Sequence, residues 1–173
     1  MYEDIKEYIR DVNDFPKKGI IFKDITPALA DGKCFKSIIN AFYERFKDEH
    51  IDKIAAIESR GFILAAPLAD RLGCGLVLLR KPGKLPYTAI KESYDLEYGS
   101  ASLELHVDAV KNGEKILLID DLLATGGTME AACKLIQKSG GKIVASSFLI
   151  ELNFCKGREK LEKYAPVEAF LKY

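Results

Sequence analysis

An acidic pair followed by a glycine-rich turn is the feature of this sequence with the clearest chemistry. Asp120 and Asp121 end an apolar run, and Ala-Thr-Gly-Gly-Thr then leads into a segment with helical spacing. Glycines let backbone N–H groups approach a phosphate closely, threonine hydroxyls add donors, and a helix start supplies its positive dipole end. The two carboxylates suit the hydroxyls of an attached sugar, or a metal. The segment therefore predicts a ribose 5-phosphate site whose phosphate lies against Ala124, Thr125, Gly126, Gly127 and Thr128.

Two further segments carry groups that could bind an anion. Glu58-Ser59-Arg60-Gly61 lies between a predicted strand and a predicted helix, so its backbone N–H groups can face an anion and Arg60 can add a charged contact. Arg80, Lys81 and Lys84 form a compact basic cluster beside a turn. A charge run by itself is usually a solvated face, so an anion-binding role for either segment needs support from the rest of the sequence.

The elements that must position these groups alternate between strands and helices. The predicted strands are Lys53–Ile57, Leu76–Leu79, Lys115–Ile119 and Ile143–Ile150, and the helices between them are Gly61–Leu72 and Thr128–Lys138. Continuous apolar strands that alternate with helices indicate a mostly parallel sheet covered on both faces, which is a doubly wound α/β domain. Ligands of such sheets bind beyond the carboxyl ends of the strands, where the acidic pair lies.

Two regions depart from that alternation. Thr88–Tyr94 and Ser102–Val107 predict an inserted antiparallel hairpin, and the Pro/Gly/Lys-rich loop before it makes the insertion a candidate lid. At the N-terminus, apolar residues from Tyr2 to Val12 predict a short amphipathic helix, and Gly19–Thr26 predicts an extended segment. Asp31 is a candidate cap for a second helix, whose apolar face carries Phe35, Ile38, Ile39, Phe42 and Phe46.

The composition is that of one ordinary globular domain. The 173 residues include 26 basic and 26 acidic side chains, and this balance argues against a broad basic face for nucleic acid. No apolar run approaches the length of about 20 residues that spans a bilayer, and the N-terminus does not resemble a signal peptide. The four cysteines form no Cys-x-x-Cys pair, which favours reduced thiols and a cytoplasmic location. We expect neither a nucleic-acid nor a membrane partner.

Several enzyme classes lose support because their motifs are missing. The chain has two histidines and no His-Glu-x-x-His, Walker, Gly-x-Gly-x-x-Gly or Gly-x-Ser-x-Gly pattern. Zincins, Walker ATPases, standard dinucleotide binders and serine hydrolases are therefore disfavoured. His106 and Cys133 are interpreted as structural residues.

Five blocks of the sequence, in order along the chain, resemble the type I phosphoribosyltransferase family, and in particular its adenine-specific members. Asp120–Met129 resembles the family's phosphoribosyl-diphosphate signature. The other blocks resemble the base-recognition segment (Phe15–Pro27), the pyrophosphate loop (Glu58–Phe62) and two parts of the flexible catalytic loop (Arg80–Pro86 and Leu96–Gly99). The resemblance covers nearly the whole chain, and five ordered blocks are far more specific than any single one.

The resemblance implies an enzyme of purine salvage. The reaction would be adenine plus 5-phosphoribosyl 1-diphosphate giving AMP plus diphosphate. Mg²⁺ would be held by the diphosphate and the ribose hydroxyls, without a dedicated protein ligand set, and the chain would form a homodimer. Residues 1–173 would be a single domain, with a base-recognition hood over 1–30 and a flexible catalytic loop over 81–101. A cis peptide bond is expected beside Ser59.

The resemblance also assigns roles to individual residues. Glu97 would act at the purine imidazole edge, and Tyr98 would close over the ribose. Residues with an implied catalytic role are Glu97, Arg60, Arg80 and Lys84, with Arg80 or Lys84 reaching across the dimer interface. Residues implied to bind substrates are Ile21, Phe22, Lys23, Glu58, Ser59, Arg60, Tyr98, Asp120, Asp121, Ala124, Thr125, Gly126, Gly127 and Thr128.

One position departs from the family pattern, and two alternatives stay open. The family usually carries Arg where this chain has Lys23, which could alter lid closure if the side chain, and not only the backbone, has a role there. A phosphoribosyltransferase for hypoxanthine, guanine or xanthine is the nearest alternative. A non-catalytic sensor of phosphoribosyl diphosphate is the other, although it would leave Arg80, Lys84 and Glu97 unexplained.

Overall fold

The computed structural model describes residues 3–95 and 100–173. The chain divides into two compact units, Met1–Phe46 and Lys47–Tyr173. No helix within the described residues is long and apolar enough to cross a bilayer.

The N-terminal unit holds three helices and a two-stranded sheet among its described residues. In chain order these elements are α1 (Glu3–Lys6), β1 (Arg10–Asn13), β2 (Ile21–Asp24), α2 (Thr26–Ala30) and α3 (Gly32–Phe46). The prediction of a helix as far as Val12 is wrong beyond Lys6. Residues 10–13 pair antiparallel with β2 instead, and Arg10 bonds the Asp24 carboxylate at 2.6 Å, so strand pairing outweighs the local helical spacing.

The cap predicted for the second helix is confirmed. Asp31 Oδ1 accepts hydrogen bonds from the backbone N–H groups of Lys33 and Cys34, at 3.0 and 2.8 Å. These bonds satisfy two donors in the first turn of α3 that have no partner within the helix.

The second unit is built on a five-stranded parallel sheet in the order β4-β3-β7-β8-β9. Its elements in chain order are β3 (Lys53–Ile57), α4 (Arg60–Leu72), β4 (Gly75–Leu79), β5 (Ala89–Asp95), β6 (Ser100–His106), β7 (Lys115–Leu123), α5 (Gly127–Lys138), β8 (Lys142–Glu151), α6 (Gly157–Leu161) and β9 (Val167–Lys172). The predicted doubly wound α/β fold is confirmed. The edge strand β9 and helix α6 were not predicted, because short segments near the C-terminus show no clear period.

The chain leaves the centre of this sheet in two directions. Helix α4 carries it from β3 outward to β4, whereas α5 carries it from β7 to β8 on the other side. Because parallel crossovers are right-handed, α4 and α5 cover opposite faces. Alternate residues of β7 accordingly face different partners, and Ile116 and Leu118 pack in the cluster that includes Leu135 of α5. The strand order reverses between β3 and β7, which is where such sheets bind ligands.

The predicted hairpin is confirmed as the antiparallel pair β5–β6, whose register runs from Ala89 opposite His106 to Asp95 opposite Ser100. Leu103 and Leu105 of β6 are fully buried in the same core cluster as α5. Arg80 is joined to β6 by two backbone hydrogen bonds with Glu104, at 3.0 and 2.7 Å. The predicted catalytic loop over residues 81–101 therefore contains all of β5 and the start of β6.

Candidate active site

Two adjoining clefts open at the carboxyl ends of β3 and β7. The larger has a volume of about 660 Å³, and the smaller of about 100 Å³. Asp120 and Thr128 line both of them, so the clefts form one continuous site. The predicted residues that line the larger cleft are Glu58, Ser59, Arg60, Arg80, Lys84, Asp120, Asp121 and Thr128. Those that line the smaller cleft are Asp120, Ala124, Thr125, Gly126, Gly127 and Thr128.

The smaller cleft is formed by the turn that connects β7 to α5, and we call residues 124–128 the phosphate loop. Gly126 has a φ of 79°, a left-handed conformation that favours glycine, and α5 begins at the next residue. The N–H groups of the first helical turn have no carbonyl partner within the helix, and they carry its positive dipole end. The loop therefore offers the donors that a phosphate group needs.

The two acids that follow the buried part of β7 have different surroundings. Asp121 is almost fully buried and accepts a hydrogen bond from Arg60 Nε at 2.5 Å. Asp120 lines both clefts and accepts the backbone N–H of Asp121 at 2.9 Å. Burial and the negative charge of Asp121 raise the pKa of Asp120 well above the usual carboxyl range. The ionised form of Asp120 is therefore disfavoured, and a positive charge that develops beside it would favour that form.

Glu58, whose side chain is 6% exposed, organises the basic cluster of the larger cleft. Glu58 accepts a hydrogen bond from Arg80 Nε at 2.7 Å, and Lys84 Nζ lies 3.2 Å from its other oxygen. Burial alone would raise the pKa of Glu58, but hydrogen bonds from Arg80 and Lys84 outweigh it and lower that pKa. Arg80 also donates to the backbone carbonyl of Lys84 at 3.2 Å, which closes the turn between the two cations.

Each of the three cations that the resemblance assigns to catalysis is therefore paired with an acid. Arg60 pairs with Asp121, whereas Arg80 and Lys84 share Glu58. That Glu58 holds the two cations in place was not predicted from the sequence. No local pattern could have shown it, because the pairing joins loops that follow two different strands.

The backbone at Glu58 also agrees with the resemblance. The peptide bond between Glu58 and Ser59 is cis, as expected beside Ser59. Helix α4 begins at the next residue, so Ser59 stands at its N-terminus and lines the larger cleft.

The hairpin supplies wall residues that the sequence analysis missed. Tyr94, Ala101 and Leu103 line the larger cleft on the side of β5 and β6. Strand alternation could have placed them on one face of the hairpin, but only the packing of that hairpin on α5 decides which face meets the cleft.

The predicted base-recognition residues lie on β2 of the N-terminal unit. The ring of Phe22 makes an edge contact with Phe15, with centroids 5.2 Å apart, and Ile21 is half exposed. The Lys23 ammonium contacts the Asp11 carboxylate on the paired strand at 2.6 Å. Glu97 and Tyr98 lie outside the described residues.

Comparisons of the sequence and of the structure with known proteins all point to the same family. A profile of the phosphoribosyl transferase domain matches residues 28–170. The chain is 56% identical over 171 residues to an adenine phosphoribosyltransferase of Anaeromyxobacter sp. (strain Fw109-5), covering 99% of this chain and 96% of the relative. The crystal structure of adenine phosphoribosyltransferase from Thermoanaerobacter pseudethanolicus has a TM-score of 0.97 at 49% identity, with all of both chains covered. A Saccharomyces cerevisiae enzyme complexed with adenine and an imino-altritol bisphosphate has a TM-score of 0.90 at 38% identity, with 95% of each chain covered.

Proposed function

The chain belongs to the adenine phosphoribosyltransferase family, and from this premise we propose how its own residues carry out the reaction. It transfers the 5-phosphoribosyl group of phosphoribosyl diphosphate to adenine, releasing diphosphate and forming AMP, in purine salvage. The observation that carries the proposal is the continuity of the two clefts, which share Asp120 and Thr128. The phosphate loop, the acidic pair and the basic cluster can thus bind the 5-phosphate, the ribose and the diphosphate of one donor molecule.

We assign the donor as follows. Its 5-phosphate lies against the phosphate loop, and its ribose hydroxyls face Asp120 and Asp121. Its diphosphate lies near Ser59, Arg60, Arg80 and Lys84, which line the larger cleft. A diphosphate carries enough negative charge to compete with Asp121 and Glu58 for these cations, and guanidinium groups bind such oxygens bidentately.

The chemistry of this transfer depends mainly on position and charge. As the bond to diphosphate weakens, positive charge develops on the ribose ring. The carboxyl groups of Asp120 and Asp121, which we place beside the ribose hydroxyls, would stabilise that charge. Arg60, Arg80 and Lys84 stabilise the negative charge of the departing diphosphate. Holding both reactants in line accounts for much of the rate increase, because the entropy of their encounter is lost on binding rather than in the transition state.

Adenine recognition is carried over from the family pattern. Phe22 offers a ring for stacking, and the backbone of Ile21 and Lys23 offers donors and acceptors to the edge of the base. The contact of the Lys23 ammonium with Asp11 supports a backbone role at this position, which would make lysine acceptable in place of arginine. Glu97 handles the proton of the imidazole edge, and Tyr98 covers the ribose.

Magnesium is proposed as the cofactor. Mg²⁺ prefers oxygen ligands and is commonly bound through one or two carboxylates and substrate phosphates, and it would neutralise the leaving diphosphate. The described residues contain no cluster of three or more His, Cys, Asp or Glu that could hold a metal ion. We propose the diphosphate and the ribose hydroxyls as its ligands, without a dedicated set of protein ligands.

A homodimer and a cytoplasmic location are also proposed. Leu76 and Leu78 on the edge strand β4, and Ile63 on α4, are 39%, 40% and 42% exposed, and a second copy of the chain would cover such apolar groups. In a dimer, Arg80 or Lys84 could reach the partner's donor. Cys34, Cys74 and Cys133 are free cysteines, as expected for a protein of a reducing compartment.

A base panel tests the function. The enzyme is incubated with phosphoribosyl diphosphate, Mg²⁺ and adenine, hypoxanthine, guanine or xanthine, and nucleotide formation is measured by chromatography. We expect AMP from adenine and little product from the 6-oxopurines. Preference for a 6-oxopurine would contradict the assignment of the base, whereas donor binding without any turnover would indicate a sensor.

A further inference from the structure

We propose that Gly157 is a positioning residue for the phosphate loop, although it lines neither cleft. This inference rests on the proposed function, because it takes residues 124–128 to bind the 5-phosphate of the donor. Gly157 is the first residue of α6, and its backbone lies against the backbone of the loop.

The backbones of Gly157 and Gly126 approach so closely that neither residue has room for a side chain. A Cβ atom on Gly157 would lie 2.1 Å from the carbonyl oxygen of Ala124 and 2.9 Å from the backbone nitrogen of Gly126. Conversely, a Cβ atom on Gly126 would lie 2.7 Å from the carbonyl oxygen of Gly157. These contacts involve backbone atoms, so a methyl group could be accommodated only if one of the two segments moved.

The segment that contains Gly157 is held too firmly to be the one that moves. Arg158 donates two hydrogen bonds to the Glu151 carboxylate, at 2.9 and 2.6 Å, and a third to the backbone carbonyl of Val167 at 2.6 Å. Glu151 and Val167 lie on β8 and β9, so this fork ties the start of α6 to two strands of the sheet.

Further contacts fix the far end of α6. Leu161 is 1% exposed within the core cluster, and both Lys163 and Tyr164 contact the carboxylate of Glu130 on α5, at 2.8 and 3.2 Å. A side chain at Gly157 should therefore displace the loop.

Displacement of the loop would act on phosphate binding specifically. Hydrogen bonds to phosphate oxygens need donor–acceptor distances of about 2.7–3.2 Å, and a misplacement of about 1 Å can reduce activity by about 100-fold. The φ angle of Gly157 lies outside the left-handed region, so alanine can adopt its backbone conformation. Any effect of Gly157→Ala then comes from the contact with the loop.

The test compares Gly157→Ala with two matched glycine substitutions in the full-length chain. In Gly141→Ala the new methyl would lie 2.8 Å from Ile136 Cγ2 and 2.9 Å from Val110 Cγ1, so this variant perturbs packing at the other end of α5. Gly32→Ala meets nothing within 4 Å and controls for the substitution itself. Each variant is measured for Tm, for the Kd of ribose 5-phosphate and AMP, and for the KM of both substrates.

We expect Gly157→Ala to weaken ribose 5-phosphate and AMP binding by about 10-fold or more and to raise the KM for phosphoribosyl diphosphate in parallel. The KM for adenine should change less than twofold, and Gly141→Ala should lower Tm without a comparable loss of phosphate affinity. Equal phosphate affinity in Gly157→Ala and Gly141→Ala would overturn the proposal. Wild-type protein that binds neither AMP nor ribose 5-phosphate would overturn the function itself.

A second variant decides the matter if Gly157→Ala does not fold. Arg158→Lys keeps the charge beside Glu151 but loses the bidentate fork, so the support behind the loop becomes looser while Gly157 stays in place. We expect ribose 5-phosphate affinity to fall several-fold with adenine KM unchanged. Unaltered ribose 5-phosphate affinity in this variant would overturn the proposal.

Discussion

Asp120→Asn and Asp121→Asn should change stability in opposite directions, although the two residues are adjacent and the substitutions are chemically identical. Asp120 is a carboxyl whose pKa is raised by burial and by the charge of Asp121, so its ionised form destabilises the fold at neutral pH. The amide oxygen that Asp120→Asn introduces can still accept the backbone N–H of Asp121. We expect Asp120→Asn to increase the free energy of unfolding by an amount on the order of 1 kcal/mol, because the amide carries no charge to be desolvated.

Asp121→Asn removes a paired charge instead. The bond from Arg60 to Asp121 is 2.5 Å long, and the two side chains are 41% and 6% exposed. A hydrogen bond between charged groups contributes about 1.5–3 kcal/mol, and the exposure of Arg60 reduces that value through solvent screening. Relief of the repulsion between Asp121 and Asp120 offsets part of the lost bond, so we expect a loss of about 1 kcal/mol.

Thermal melts followed by circular dichroism measure both changes. For a domain of this size, 1 kcal/mol shifts Tm by about 2–4 °C, so the two variants should lie on either side of wild type. Turnover should fall in both, by about 10²–10³-fold if each carboxylate stabilises charge in the transition state. Wild-type turnover in both variants would refute the role of the acids at the ribose.

The pH dependence separates the charge of Asp120 from a packing effect. Because the folded-state pKa of Asp120 is raised, the folded protein binds more protons than the unfolded chain between the two pKa values, and stability falls as pH rises through that interval. Asp120→Asn lacks this loss. The Tm advantage of the variant should be small near pH 4, the ordinary range of an aspartate, and grow as pH rises. A constant or negative difference would refute the reasoning.

Three further predictions test other parts of the site. Gly127→Val should abolish AMP and donor binding in calorimetry, because a branched side chain at the start of α5 would block the approach of phosphate to the loop; normal AMP binding by a folded variant would contradict the assignment. Glu97→Gln should lower turnover by about 10²–10⁴-fold with donor affinity nearly unchanged, because glutamine cannot accept a proton. Glu97→Leu should lower turnover at least as much. Wild-type turnover in Glu97→Gln would remove Glu97 from the mechanism. Phosphoribosyl diphosphate should protect the Lys84–Leu85 bond from trypsin, because the donor would contact Lys84; equal cleavage with and without donor would argue against this contact and against a closing lid.

Local sequence patterns determined most of the fold and the phosphate loop. Strands β3 and β7 are apolar on both faces, and the cap at Asp31 and the Gly-Gly turn before α5 are local signals, so each could be predicted from a short window. Where local spacing competed with pairing, the prediction was wrong: the helix predicted as far as Val12 gives way to β1 because β2 lies beside it.

Only the tertiary structure decided which charged groups meet. Arg60 and Asp121 are 61 positions apart and meet where the carboxyl ends of β3 and β7 lie side by side. Arg80 and Glu58 are 22 positions apart and meet where β3 and β4 end. The contact between Gly157 and the phosphate loop likewise depends on how α6 returns to the sheet. Such pairings carry no periodic signal, because they arise from strand order and from the packing of distant segments rather than from neighbouring residues.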